Sequence, residues 1–180
     1  MELEPYIYKL FPDLILPGSS AVLDGRYELA QFTKGGRTFV LEDGISYRLT
    51  FANTGGAVLI TGTVEAVAHT ECYRCLDVAR LEVFGEVETL VFFEAEAFEA
   101  EADAEDCILA EGPEACVDLT PLLFSAVIFA LPLVVLCRED CAGICPNCGA
   151  HLNDESCACT VAPADENHPF AVLKSLKQNS

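Results

Sequence analysis

Hydrophobic and polar residues alternate most cleanly from Ile45 to Phe51, where Ile45, Tyr47, Leu49 and Phe51 fall on one side and Ser46, Arg48 and Thr50 on the other. A period of two marks a half-buried strand. Asn53–Gly56 reads as a hairpin turn. Ala57–Thr70 follows as a longer strand with Val58, Ile60, Val64 and Ala66 sharing a face. Leu81–Phe93 repeats the pattern, with Leu81, Val83, Val87, Val91 and Phe93 inward and Glu82, Glu86 and Glu88 outward. Upstream, Arg26–Phe32 reads as a strand and Lys34-Gly35-Gly36-Arg37 as a turn. The first twenty residues are apolar but broken by Pro5, Pro12 and Pro17, which suits a strand or loop packed on the surface. Short strands joined by Gly-rich turns predict an N-terminal antiparallel meander or partial barrel.

The alternation stops at Glu94. Residues 94–118 carry ten acidic side chains, and no Lys or Arg occurs from Leu81 to Cys137. Like charges at this density resist packing, so the stretch reads as a mobile acidic linker, either a lure for a basic partner or a solvated loop. Cys107 and Cys116 within it look like spare thiols, since neither belongs to a paired motif. From Leu119 to Leu136 the chain is apolar except for Thr120 and Ser125, and Pro121 and Pro132 divide it. The helical part is about ten residues, against the roughly 20 needed to cross a bilayer. It therefore reads as a buried core helix followed by an extended Leu133–Leu136. Asp118 or Thr120 is placed to cap it, and Pro121 suits its first turn. Its apolar residues run nearly all round, through Leu122, Leu123, Phe124, Val127, Ile128, Phe129 and Leu131, which implies burial on more than one side, in the core or against a partner. A short terminal helix is expected from Pro169, with Phe170, Leu173 and Leu176 on one face and Lys174 and Lys177 near its end. The expected class is α+β, divided as a sheet domain (1–93), a linker (94–118) and a helix with a Cys-rich metal module and tail (119–180).

The chemistry sits in the cysteines. Six of the ten lie between Cys137 and Cys159. Cys145-Pro-Asn-Cys148-Gly149 is the strongest local motif, because a Cys-x-x-Cys turn lets two thiolates reach one ion at about 2.3 Å. Gly149 supplies the positive φ such a turn needs. Cys157-x-Cys159 is a second two-ligand clip, since residues i and i+2 of an extended chain point the same way. Cys72-Tyr-Arg-Cys75 is another Cys-x-x-Cys, placed at the tip of a hairpin. A thiol redox pair is the competing reading there, but it usually opens a helix in a βαβ setting, which is not visible. The spacing Cys141-x₃-Cys145-x₂-Cys148 also matches the cluster motif of radical S-adenosylmethionine enzymes, which normally precedes a large barrel. The start of the chain lacks a positive n-region before an apolar core, so it does not read as a signal peptide. In a reducing, cytoplasmic setting clustered thiols bind metal more often than they pair as disulfides.

Eight clustered cysteines suffice for two four-thiolate zinc sites. Chain closure favours Cys72, Cys75, Cys137 and Cys141 in one and Cys145, Cys148, Cys157 and Cys159 in the other, because the second set closes locally. The alternative groups Cys137, Cys141, Cys145 and Cys148 and leaves the two remote clips to pair. His69 and His151 flank the clusters and read as surface or supporting groups. The net charge of −19 argues against wrapping a phosphate backbone and for basic partners.

Several of these motifs occur together in one family. Cys72-Tyr-Arg-Cys75-Leu76, Val117-Asp118-Leu119, Ala130-Leu131-Pro132, Leu136-Cys137-x₃-Cys141-x-Gly143-Ile-Cys145-Pro-x-Cys148-Gly149, Leu152-Asn153, Cys157-x-Cys159 and Pro169-Phe-Ala-Val-Leu-Lys174 appear in order over about the last 110 residues. In this the chain resembles the YceD family, the large ribosomal RNA subunit accumulation proteins. The resemblance implies a ribosome-assembly role promoting accumulation of large-subunit (23S) ribosomal RNA, with no catalytic residues to carry over. It implies contact with precursor ribosomal RNA, a large-subunit ribosomal protein, or both. A local basic patch from Arg26, Lys34, Arg37, Arg48, Arg74 and Arg80 would permit a narrow RNA contact. Other classes consistent with the residues are a thiol redox or metal-dependent enzyme and a zinc-storing or zinc-responsive regulatory protein. No membrane or small-molecule partner is expected.

Overall fold

A computed structural model of the chain describes residues 3–10, 14, 16–93, 98–99, 107–110 and 116–159. The chain divides into two compact units, Met1–Cys141 and Ala142–Ser180. Among the described residues the first unit's elements are, in order, β1 (Ile7–Lys9), β2 (Ser20–Tyr27), β3 (Gln31–Lys34), β4 (Arg37–Leu41), β5 (Ile45–Asn53), β6 (Ala57–Glu71), β7 (Val78–Phe92), β8 (Cys107–Leu109), β9 (Cys116–Asp118) and α1 (Thr120–Ala130).

The expected antiparallel meander is β5–β6–β7. β6 is its spine. One edge of β6 pairs with β7 from Ala57↔Phe92 to Glu71↔Val78. The other edge carries β5, from Ser46↔Glu65 to Asn53↔Val58, and then β4, at Val40↔His69 and Leu41↔Ala68. β2 adds outside β5, and β3 folds back on β4 through the Gly35-Gly36 turn. β8 joins β7 in parallel over Leu90–Phe92, while β1 and β9 form a separate two-stranded ladder.

Register places the inner faces in line. Tyr47, Val64 and Gly85 lie side by side, then Leu49, Gly62 and Val87, then Phe51, Ile60 and Thr89. These positions, all buried except the half-buried Gly62, form the core with Ile45, Val58, Val83 and Val91. α1 closes that face by burying Leu123, Ala126 and Val127. Gly85 is what lets it approach, because a Cβ there would lie 2.5 Å from the Ala126 carbonyl oxygen. Phe124 meets the Phe32 ring edge-on at 5.5 Å, and Lys34 Nζ donates to the Ile128 carbonyl at 2.7 Å, where a cation suits the helix C-terminus.

Several expectations need correction. Arg26–Phe32 is not one strand: the β2–β5 ladder ends at Tyr27↔Ile45, where its partner begins, and β3 starts only at Gln31. Phe93 is exposed, because β7 ends at Phe92 opposite the first residue of β6, and Thr89 fills an inner position instead. The helix buries one face only, and Phe129 is 87% exposed. Its N-cap position is Leu119, which makes no side-chain cap; Asp118, one residue earlier, accepts from the Thr120 amide at 2.9 Å. Leu133–Leu136 joins no ladder, and its Val135 carbonyl accepts from the Tyr73 amide at 2.9 Å. Within the acidic stretch, Cys107–Leu109 and Cys116–Asp118 are strands, while most of the expected linker lies outside the described residues. The expected terminal helix from Pro169 also lies outside them. Among the described residues no helix is long and apolar enough to cross a membrane.

In the second unit the described residues are 142–159. A bridge between Ile144 and His151 closes a small loop around Cys145–Cys148, and the Ala142 amide donates to Asn153 Oδ1 at 2.8 Å. This small, cysteine-held loop fits a zinc-ribbon-like module.

Candidate metal centres

The β6–β7 hairpin tip forms the first group. The Cys72 amide donates to the Asp77 carbonyl at 2.8 Å, and the Leu76 amide to the Cys72 carbonyl at 3.1 Å. This knuckle turns Cys72 and Cys75 inward, and the chain leaving α1 brings Cys137 and Cys141 to meet them. The four sulfurs lie within 4.8 Å of one another. Cys72 Sγ is 3.7 Å from Cys141 Sγ, and Cys75 Sγ is 3.5 Å from Cys137 Sγ. A tetrahedron of Zn–S bonds near 2.3 Å has edges of roughly 3.8 Å, whereas a disulfide needs about 2.05 Å. The spacing fits four ligands around one ion. Arg74 braces the site, donating its amide to Cys72 Sγ at 3.4 Å and Nη1 to the Cys141 carbonyl at 2.8 Å.

Cys145, Cys148, Cys157 and Cys159 form the second group, again with sulfurs within 4.8 Å of one another. Its knuckle repeats the first. The Gly149 amide donates to the Cys145 carbonyl at 2.9 Å, as Leu76 does to Cys72. Gly149 has φ 75° and Leu76 has φ 67°, so both turns put a left-handed residue directly after their second cysteine. In the first knuckle that residue is not glycine, and the Cys-x-x-Cys-Gly pattern therefore disguises the likeness. The two groups differ in burial: Cys72, Cys75 and Cys141 are buried, whereas Cys148 and Cys159 are exposed.

Thiol chemistry within each group is uneven. Burial works against a charge on Cys72, but amide donors from Cys75, Arg74 and Cys137 outweigh it and bring the thiol down to about 6. Burial raises Cys75 and Cys137. In the second group the Cys148 and Asn147 amides lower Cys145 to about 6, while the hydrogen bond to the Cys148 sulfur pushes Cys159 up to about 12. The Cys159 amide draws Cys157 down, but its hydrogen bond to Cys145 and its burial carry it upward. Each group thus draws one thiol, Cys72 or Cys145, toward the thiolate and holds two neighbours, Cys75 and Cys137 or Cys157 and Cys159, toward the protonated form, since crowded like charges oppose one another. A dication removes that conflict. Either group could hold a metal ion, and four protein thiolates around it would leave no open position for substrate.

The remaining candidates lie elsewhere. Cys107 on β8 and Cys116 on β9 belong to neither group. His69 Nε2 bonds Glu42 Oε1 at 2.6 Å, and His151 shapes the second loop through its backbone. Of the six basic residues expected to form a patch, Arg48 is exposed, Lys34 and Arg74 donate to the Ile128 and Cys141 carbonyls, and three have acidic neighbours. Arg26 pairs with Asp43, Arg37 with Glu71, and Arg80 with Glu42 and Glu82. Arg37 also lies 3.9 Å over the Tyr73 ring. Arg74 and Leu76 are not legible as site residues in the sequence, because Arg74 acts by donating to the distant Cys141 carbonyl and Leu76 through a backbone angle.

The family model described as Large ribosomal RNA subunit accumulation protein YceD matches residues 60–177, a span that contains both cysteine groups. An uncharacterized protein of Mycobacterium tuberculosis is 34% identical over 98 residues, 54% of this chain and 46% of its own length. An uncharacterized protein of Mycobacterium bovis shows the same figures, 34% over 98 residues. One of Mycobacterium leprae is 32% identical over 95 residues, 53% of this chain and 43% of its own length. The chain thus spans about half the length of the curated relatives it matches. No solved structure matches it.

Proposed function

The chain belongs to the YceD family, the large ribosomal RNA subunit accumulation proteins, and from that premise we propose that it is a non-enzymatic, cytoplasmic ribosome-assembly factor whose two four-cysteine groups each hold a structural zinc ion. The family's name ties it to accumulation of large-subunit ribosomal RNA. The observation that carries the proposal is that the family match encloses both sets of converging thiols.

Zinc is the proposed metal because soft thiolates at tetrahedral spacing select it, and a filled four-thiolate site stabilises a fold without activating water. Cys72, Cys75, Cys137 and Cys141 would clasp the hairpin tip to the chain after α1. Cys145, Cys148, Cys157 and Cys159 would hold the second unit closed. For a partner we favour a basic large-subunit ribosomal protein over broad contact with precursor RNA. The supports are the net charge of −19 and the pairing of Arg26, Arg37 and Arg80 with acidic neighbours, which offsets the positive charge a phosphate backbone would need.

Purification from the native host tests this in one sample, by elemental analysis, thiol titration, sequencing of bound RNA and identification of bound proteins. The expected result is two zinc ions per chain, two reactive thiols and large-subunit components. Reactive thiols at most of the ten cysteines with no metal, or no ribosomal component bound, would refute it.

A further inference from the structure

β7 is paired with β6 along its whole length, but its second edge carries β8 only at Leu90–Phe92. Among the described residues, Val78–Glu88 therefore presents a strand edge with no ladder partner on that side. Such an edge is a template for another strand. Beside it runs the outward side of α1, and the two, closed at one end by Cys107 and Ile108 of β8, enclose a groove of about 820 Å³ along Phe84–Thr89, Leu122 and Phe129.

The two walls differ in chemistry. On the helix side, Leu122 is half-buried and Phe129 is 87% exposed. On the opposite face of the sheet, Glu86 and Glu88 stand outward, because register sets them beside Thr63 and Thr61 and not in the core row of Gly85 and Val87. Neither glutamate has a cationic partner among the described residues. No Lys or Arg occurs anywhere from residue 81 to 137, so every charged residue lining the groove is acidic. β2 forms another edge of the sheet, but it carries Arg26, and the hollows beside it at Arg26 and at Asp24 are smaller, about 300 and 290 Å³.

We propose that the groove between β7 and α1 receives an extended, basic segment of a protein partner, added to the sheet as a strand. Side chains on a strand alternate between faces. An added strand would point one set toward Leu122 and Phe129 and the other beside Glu86 and Glu88, within reach of cross-strand pairing. The matching sequence alternates apolar residues with Lys or Arg. Phe84–Glu88 spans about 17 Å, enough for five residues. The site rests on the assembly-factor reading only for the partner's identity as a basic ribosomal protein.

The test uses the full chain, loaded with zinc, and a synthetic eight-residue peptide alternating Lys and Val, measured by fluorescence anisotropy. Saturable, salt-sensitive binding is expected. Glu86→Lys with Glu88→Lys should weaken it by about tenfold or more, since two attractive cross-strand pairs become repulsive. Phe129→Ser should weaken it about threefold without unfolding the protein, because the ring is exposed. Asp24→Lys with Glu28→Lys, an equal change in charge on the β2 side, should leave it within about twofold. A peptide N-methylated on alternate residues should lose binding, because strand addition depends on backbone hydrogen bonds.

Equal loss from the β2-side pair, or unimpaired binding of the N-methylated peptide, would overturn the proposal. So would an RNA oligonucleotide whose binding the Glu86/Glu88 reversal abolishes, or a dimer in ultracentrifugation that the reversal dissolves. Failure of the broader reading is separable. If the wild-type chain brings no ribosomal component from its host, that reading falls while the peptide result still stands. If the reversed variant retains the same identified ribosomal proteins, the groove is excluded while the reading stands.

Discussion

Gly85→Ala tests how α1 is seated. The new Cβ would lie 2.5 Å from the Ala126 oxygen, 2.8 Å from its carbonyl carbon and 2.8 Å from Val64 Cγ2. The valine methyl can turn aside, but the other two atoms are helix backbone. Ordinary contact needs about 3.5 Å, so α1 must retreat by roughly 1 Å. Overpacking of this kind costs about 1–3 kcal/mol. The retreat also loosens Leu123 and Val127 against the sheet, while replacing a strand glycine returns about 0.5–1 kcal/mol. The net expectation is a loss of about 1–2 kcal/mol. Urea unfolding followed by circular dichroism reads it as a lower midpoint, and heating as a Tm drop of about 2–8 °C. Gly56→Ala is the control, because a Cβ there meets nothing within 4 Å. If Gly85→Ala matched that control or raised the midpoint, the close seating of α1 on β7 would be wrong.

Further expectations concern the thiols and the helix end. Cys75→Ser and Cys148→Ser should each reduce zinc from two ions per chain to one, as read by elemental analysis; loss of both ions from either variant would show that the sites are not separate. Gly149→Ala has open space around the new methyl, so its cost is the left-handed backbone alone, about 1–2 kcal/mol, seen as a fall of about tenfold in zinc affinity at that site by chelator competition. Lys34→Met removes the 2.7 Å bond to the Ile128 carbonyl and should lower stability by about 1 kcal/mol in urea unfolding; no change would mean the bond does not form in solution. Strong chelation should lower the melting temperature of the wild-type protein and leave a cysteine-free variant unaffected.

The sequence shows β5, β6 and β7 well because each buries one face throughout, so the period of two survives along the strand. Ile45, Tyr47, Leu49 and Phe51 are all buried as that period requires. β2 hides because it lies at the rim, where Val22 is 55% exposed and alternation says little about ladder length. β8 and β9 are three residues each inside an acidic run, and only their partners, Leu90–Phe92 and Ile7–Lys9, give them order. For α1, an apolar surface all round could not reveal which side the sheet covers; Gly85 decides that, from a distant strand. The cysteine motifs were legible as local spacings. The nearness of Cys72 to Cys141 follows from sheet register and the path after the helix, which spacing alone does not encode.

The two thiol groups also differ in when they can be completed. Sixty-two positions separate Cys75 from Cys137, whereas Cys145 to Cys159 emerge almost together. At about 5–20 residues per second, a nascent chain carries its hairpin half-site for roughly 3–12 s before the other half arrives. During that wait two sulfurs grip an ion weakly or not at all. Scarcity of metal would therefore strand newly made chains at one stage, with the hairpin formed and the segment behind the helix still unclasped.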